Sequence, residues 1–168
     1  MNYVAFFEGR EPDDKKRMIT EFPRYSTWHL ELSHDYIQRI FPLQEKSRFS
    51  NAPLITDAEV EEVKASKVAQ ENIRAVYRKM LWFWKINDES LHKWGFSAPV
   101  RLWNKPNNHN CLRMTRVLKS LNLLGMENEY QDFSERLSYI ISLRGKGVHI
   151  NRETVQIWEE NIDKQRSV

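Results

Sequence analysis

The sequence predicts an all-α fold, a single irregular bundle of six or seven helices spanning residues 1–168. Apolar residues recur with a helical period of about 3.6 along most of the chain. Five glycines and six prolines in 168 residues are too few for a turn-dense β architecture. The only segment that reads as a strand is a short edge at residues 3–7. These observations together favour a helical domain.

Composition limits the class of protein and its compartment. The chain is 40% hydrophobic, with six tryptophans, and a domain of this size buries a substantial core. A net charge of +3 permits acidic partners without requiring them. One cysteine, Cys111, excludes an intrachain disulfide and indicates a reducing compartment. The sequence shows neither a signal peptide nor the roughly 20 apolar residues of a membrane helix. We therefore expect a soluble, cytoplasmic chain with no membrane partner.

Two helices are predicted in the first quarter of the chain. Proline punctuation places the first at residues 13–22 and the second at residues 27–41. On a helical wheel, the apolar arc of the second helix includes Trp28 and Leu32 and is wider than the stripe of a surface helix. We therefore expect this helix to be central. Arg39 lies within the arc, where it would have to snorkel or bind a carboxylate.

Helix-start signals mark the remaining elements. The pattern Thr56-Asp-Ala-Glu59 is a capping box, and the helical period after it continues to Ile86 with a break near Ser66. Three further helices are predicted, at residues 108–124, 126–143 and 152–164.

Two polar residues of the second predicted helix are candidates for a site. His34 and Gln38 are four residues apart and lie together at the margin of the apolar arc. They could be boundary residues that hydrogen-bond a loop carbonyl, as buried polar groups normally are. Alternatively, they line a ligand pocket. The sequence leaves both interpretations open.

A second set of candidates lies on the helix at residues 108–124. His109, Arg113 and Arg116 form a basic stripe flanked on both sides by apolar positions. Guanidinium groups in such surroundings need carboxylates or a bound anion. The stripe is therefore either a set of internal ion pairs or an anion-binding site.

A basic interval surrounds this helix. No acidic residue occurs between Glu89 and Glu127. An interval of this kind could contact nucleic acid or an acidic peptide, or it could pack against the acidic helices of the same domain. As an alternative function we therefore consider nucleic-acid binding through Lys93, Arg101, Lys105 and Lys119.

Catalytic and metal-binding patterns do not emerge. No Cys or His pair has the spacing of zinc ligands, and no glycine-rich loop could cradle a phosphate. His109 and Cys111, two residues apart, point to different sides of a helix and cannot form a nucleophile–base pair there. We expect no metal, no cofactor and no catalysis. An enzyme using His34 or His109 as general base remains a second alternative.

Three blocks of sequence carry a resemblance to a known family. HDYIQRIFPL at residues 34–43, NAPLITD at 51–57 and NHNCLRMTRVLKSLNLLG at 108–125 resemble the conserved region of the opioid growth factor receptor. The likeness extends from about residue 6 to residue 158. It implies a soluble helical domain unrelated to seven-helix receptors. The animal receptor looks like a nuclear-associated binder of met-enkephalin, whereas this chain is similar to compact, stand-alone microbial relatives.

The sequence thus predicts a non-enzymatic binding module whose partner is a peptide, a small anionic molecule or another protein. We expect its site to be concave and shared by the second predicted helix and the helix at residues 108–124. The residues expected to contact the ligand are His34, Gln38, His109, Arg113 and Arg116.

Overall fold

The computed structural model describes residues 1–47, 51–87 and 103–163. These residues are helical, without a strand, so the all-α class is confirmed. They form more helices than the six or seven expected. In chain order the elements are α1 (Tyr3–Phe7), a 3-10 helix (Ile19–Arg24), α2 (Thr27–Leu32), α3 (Ile37–Ile40), α4 (Asp57–Ala65), α5 (Lys67–Trp84), α6 (His109–Leu123), α7 (Glu127–Ser142) and α8 (Arg152–Asp163).

Two groups of helices share one core. The helix α5 packs against α1, α4 and the 3-10 helix, and α6 packs against α3, α7 and α8. Fully buried tryptophans join the two groups, and their indole N–H groups are satisfied, as buried indoles require. The Trp84 indole donates to Asn110 of α6 (3.2 Å), and that of Trp103 donates to the Trp84 carbonyl (2.8 Å). None of the helices in the described ranges is both long and apolar enough to cross a membrane.

The predicted start of α4 and the predicted break before α5 are confirmed. The Thr56 hydroxyl accepts from the Glu59 amide (3.3 Å), and the Glu59 carboxylate accepts from the Thr56 amide (3.0 Å). Ser66 has an extended backbone and separates α4 from α5. Its hydroxyl accepts from the Ala69 amide (3.3 Å) and so caps α5.

The short strand predicted at residues 3–7 is wrong, because these residues form the helix α1. The Asn2 side chain caps the helix by accepting from the Ala5 amide (3.0 Å). All five residues of α1 are buried, so the helix is apolar on every side and has no amphipathic period. A short apolar run of this kind does not distinguish a strand from a buried helix.

The helix predicted at residues 13–22 is also wrong. The Asp13 carboxylate accepts from the amides of Lys15 (2.8 Å) and Arg17 (2.9 Å), which holds a turn where the helix was expected. Lys16 has a left-handed backbone (φ 63°), which is incompatible with a continuous α-helix. The following 3-10 helix includes Pro23, the residue expected to end the helix.

The segment predicted as one helix at residues 27–41 forms two, α2 and α3, separated at residues 33–36. The break rotates the first half relative to the second. As a result Trp28 and Leu32, expected in the core, are 74% and 66% exposed. Arg113 binds backbone carbonyls at this break, as described below.

Arg39 binds a carboxylate, which is one of the two alternatives that the sequence left open. Its side chain is 3% exposed and forms a bidentate ion pair with the Asp14 carboxylate. In this pair Nε donates to Oδ1, and Nη2 donates to Oδ2 (2.8 Å). Nη1 donates to the Asp35 carbonyl (2.7 Å). This contact fixes α3 against the turn that precedes the 3-10 helix, and so fixes one wall of the site described next.

Candidate functional site

A cleft of about 310 Å³ lies between α6 and the chain around α3, and we call it the α3–α6 cleft. Its apolar wall consists of Ile37, Leu43 and Leu112. A smaller cavity shares several of its lining residues and extends toward Ala52 and Pro53. The structure brings together all five residues that the sequence proposed for a site, since each lines this cleft: His34, Gln38, His109, Arg113 and Arg116.

Arg113 is 5% exposed and its guanidinium binds the end of α2. The last carbonyls of a helix have no partner within the helix. The Arg113 guanidinium donates hydrogen bonds to the backbone carbonyls of Leu30 (2.9 Å) and Ser33 (2.8 Å). It also donates a longer one to the carbonyl of Glu31 (3.4 Å). The guanidinium also lies 5.5 Å from the centre of the Tyr36 ring. Backbone carbonyls are therefore its main partners, and the Glu31 carboxylate, 3.9 Å from Nη1, adds an internal ion pair of the kind considered from the sequence.

Two histidines lie beside Arg113 at one end of the cleft. Nη2 of Arg113 is 3.2 Å from Nδ1 of His34. Because a guanidinium only donates, this nitrogen must accept, which places the proton of neutral His34 on Nε2. The His34 and His109 rings meet edge to face, with centroids 5.5 Å apart. Burial, helped by the Arg113 charge, lowers the pKa of His109.

Glu31 joins α2 to α6 and was not singled out from the sequence. Its carboxylate accepts from the Asn110 side chain (3.0 Å) and lies 3.3 Å from Nε2 of His109. Its spacing from the residues of α6 gives no local signal, so only the tertiary structure shows this role. Although two histidines and a carboxylate meet here, no group of three or more potential ligands in the described ranges has the geometry to hold a metal ion.

Arg116 lies about one turn further along α6 and has fewer hydrogen-bond partners than Arg113. It is half-buried, and Nη1 donates to the Phe41 carbonyl (3.2 Å). Within the described ranges no carboxylate approaches its guanidinium as an ion-pair partner. Burial lowers the pKa of Arg116, an effect that the nearby Glu45 carboxylate opposes. Arg116 is thus a half-buried cation at the cleft with one hydrogen bond and no ion pair among the described residues.

Gln38 lies on the opposite wall and is 7% exposed. Its Oε1 is buried and has no hydrogen-bond partner in the described part of the chain. Gln38 and Arg116 both line the α3–α6 cleft and the smaller cavity. A buried amide oxygen without a partner is unfavourable, and a ligand that hydrogen-bonds it would remove that cost.

Of the four residues proposed for nucleic-acid binding, two can be placed. Lys119 lies at the rim of the cleft and pairs with Glu45 (3.0 Å), another residue that the sequence did not single out. Lys105 is exposed in the turn before α6. Lys93 and Arg101 lie outside the described residues. Lys119 therefore has a protein partner within the domain.

The hydroxyls that line the cleft belong to Ser47 and Thr115, and that of Thr115 donates to the Cys111 carbonyl (3.0 Å). Cys111 faces the core, is 3% exposed, and burial raises the pKa of its thiol to about 12. It is therefore protonated at neutral pH and unreactive. The cleft also presents the Arg116 cation, an amide, two imidazoles and an apolar wall, while the Glu45 carboxylate at the rim is paired with Lys119. These groups can bind an anion that carries an apolar group.

Comparison with known proteins gives a consistent result. The family model described as "Opioid growth factor receptor (OGFr) conserved region" matches residues 11–163. The chain is 38% identical over 105 residues to opioid growth factor receptor-like protein 1 of Mus musculus, which covers 59% of this chain and 22% of that protein. It is 38% identical over 107 residues to the opioid growth factor receptor of Rattus norvegicus, covering 59% of this chain and 18% of the relative.

The human opioid growth factor receptor gives 38% identity over 104 residues, 59% of this chain and 15% of that protein. The chain thus spans about a fifth of the length of the curated relatives it matches. No solved structure matches it significantly. Because the family model covers nearly the whole described domain, the chain belongs to the opioid growth factor receptor conserved-region family.

Proposed function

We propose that the α3–α6 cleft binds the anionic group of a peptide or small molecule, and that the domain is a binding module rather than an enzyme. In this proposal Arg116 binds the anion and Gln38 hydrogen-bonds a neighbouring polar group of the ligand. His34 and His109 contact its distal part, and the apolar wall binds an apolar side chain. Arg113, although it lines the cleft, has a positioning role because its guanidinium is occupied by the end of α2.

The observation that carries the proposal is the state of Arg116. This half-buried guanidinium donates one hydrogen bond, to the Phe41 carbonyl, and has lost hydration without gaining an ion-pair partner among the described residues. Its neighbour across the cleft, Gln38, has a buried oxygen without a partner. Arg116 and Gln38 line the same cleft. A ligand with an anionic group beside an N–H group would pair with the guanidinium and donate to the amide oxygen.

The relatives agree with a binding role without specifying it. Those that match are named as receptors of an opioid growth factor or as receptor-like. Because the chain spans about a fifth of their length, their activity as whole proteins is not carried over. What we extend to this chain is the general role, the recognition of a ligand by a helical domain.

Three probes test the proposal. N-acetyl-leucine offers a carboxylate, an amide and an apolar side chain, N-acetyl-leucinamide lacks the carboxylate, and inorganic phosphate lacks the apolar group. Each is titrated into ¹⁵N-labelled protein while backbone amide shifts are followed. We expect N-acetyl-leucine to change the chemical shifts of backbone amides that line the cleft. Its dissociation constant should be at least about tenfold lower than that of the neutral amide, because the neutral amide lacks one charge-assisted contact.

Arg116→Met keeps the apolar stem of the side chain and should abolish these shifts. Lys105→Met is the matched control, since it removes the same charge from an exposed position before α6. Binding of the neutral amide as tight as that of the acid, or shifts that map away from the cleft, would contradict the proposal. Saturable binding of phosphate alone would identify a small anion as the ligand class.

A further inference from the structure

The solvent side of α5 carries exposed apolar residues at regular spacing. Val68, Ala75 and Trp82 are seven residues apart and so lie on one face of this 18-residue helix. Val68 is 54% and Trp82 40% exposed, and Ala75 is also exposed. Successive members are two helical turns apart, about 10.5 Å, so they form a row of separate apolar positions along one helix face.

The C-terminal half of the same face is cationic. The ammonium nitrogens of Lys79 and Lys85 lie 4.0 Å and 4.1 Å from the centre of the Trp82 ring. Arg78 is exposed beside them. In the described part of the chain neither ammonium pairs with a carboxylate. Burial, and then the charge of Lys85, lower the pKa of Lys79, so the two like charges crowd one another.

We propose that this face of α5 docks an amphipathic helix of a partner protein whose apolar side is flanked by acidic residues. The row Val68, Ala75 and Trp82 matches the periodicity of an apolar helix face, which recurs at about three, four and seven residues. Carboxylates of the partner would pair with Lys79 and Lys85, which relieves the repulsion between them. The exposed apolar residues thus call for an apolar face on the partner, and the two lysines call for acidic residues beside that face.

The arrangement favours an acidic helix over nucleic acid. A base would have to stack on the Trp82 ring, but both ammonium groups lie over that ring and would have to be displaced. Phosphate contacts alone would leave Val68 and Ala75 without a role.

The test uses a synthetic peptide with leucines on one helical face and glutamates beside them, labelled for fluorescence anisotropy. We expect saturable binding that weakens at least about tenfold in the double variant Lys79→Glu with Lys85→Glu, since two attractive pairs become repulsive. A peptide with lysine in place of glutamate should bind the double variant more tightly than the parent protein. Trp82→Ala should weaken binding with no change in fold, because the side chain is exposed. Lys105→Glu, an exposed charge reversal elsewhere, is the control.

Several outcomes would overturn the proposal. These are no binding of the acidic peptide, equal binding of a peptide with the same composition but a scrambled apolar pattern, or equal affinity in the double variant and the parent. A single-stranded oligonucleotide that binds more tightly than the peptide, and loses affinity in the double variant, would assign the surface to nucleic acid instead.

Discussion

The two arginines of α6 that line the cleft differ in what surrounds them, although they are three residues apart on one helix. Arg113 is 5% exposed, and its guanidinium donates to the carbonyls of Leu30 and Ser33. Arg116 is half-buried and donates to one carbonyl, that of Phe41. One end of the cleft is therefore closed by internal bonds, and at the other end Arg116 has no ion-pair partner among the described residues. Residue type and helical position do not distinguish a structural guanidinium from a functional one; the partners available in the tertiary structure do.

The largest expected effect is on stability, at the closed end. Arg113→Ala leaves the carbonyls at the end of α2 buried without donors, and we expect the free energy of unfolding to fall by about 2 to 4 kcal/mol. Chemical denaturation followed by circular dichroism measures this change. Arg116→Ala is the matched control on the same helix and should cost far less. A melting temperature of Arg113→Ala equal to that of the parent would show that the end of α2 does not depend on this contact.

The contact of Arg113 with the end of α2 is one feature that the sequence could not predict. The helices from α4 onward were predictable because their start signals are local, such as the capping box at Thr56 and the Asn151 cap of α8. The carbonyls at the break between α2 and α3 are bound by Arg113, which is 83 residues beyond Leu30. No periodicity within residues 27–41 contains that information. For this reason Trp28 and Leu32 were expected in the core and are exposed.

Some features of the candidate site could likewise be predicted from the sequence, and others could not. The polar blocks around His34 and His109 could be identified because polar residues at the margin of apolar arcs are unusual, and the structure places both blocks on one cleft. Which arginine is free could not be predicted, since the two have equivalent wheel positions. Glu31 and Glu45 were missed because nothing in their local sequence distinguishes them from solvated carboxylates.

At the open end, Arg116→Met should separate binding from stability. The substitution removes one hydrogen bond to a carbonyl and also the cost of a partly buried cation, so we expect the free energy of unfolding to change by less than about 1 kcal/mol. Binding of N-acetyl-leucine should be lost. The two quantities are measured by denaturation and by titration on the same preparation. A large loss of stability would instead place Arg116 with Arg113 among the structural arginines.

Gln38→Leu should have a still smaller effect on stability, of either sign. Leucine removes a buried amide whose Oε1 has no partner, which offsets the imperfect fit of its branched side chain. We expect the free energy of unfolding to stay within about 0.5 kcal/mol of the parent, with weaker ligand binding. Gln38→Glu is an informative companion, because a carboxylate there would pair with Arg116 and block an anion. Tight anion binding by that variant would exclude Gln38 from the site.

The smallest expected effect is a pH dependence at the closed end. Burial and the Arg113 charge lower the pKa of His109 in the folded protein below its ordinary value of 6.5. The unfolded chain therefore binds a proton more readily, and protonation favours unfolding. The contribution of His109 is fully present above pH 6.5 and is lost as the pH falls through its folded-state pKa. Unfolding free energies measured from pH 5 to pH 8 should decline more steeply toward acid in the parent than in His109→Gln. Equal slopes in the two proteins would mean that His109 titrates as a solvated residue, and the closed end would then be more hydrated than its contacts indicate.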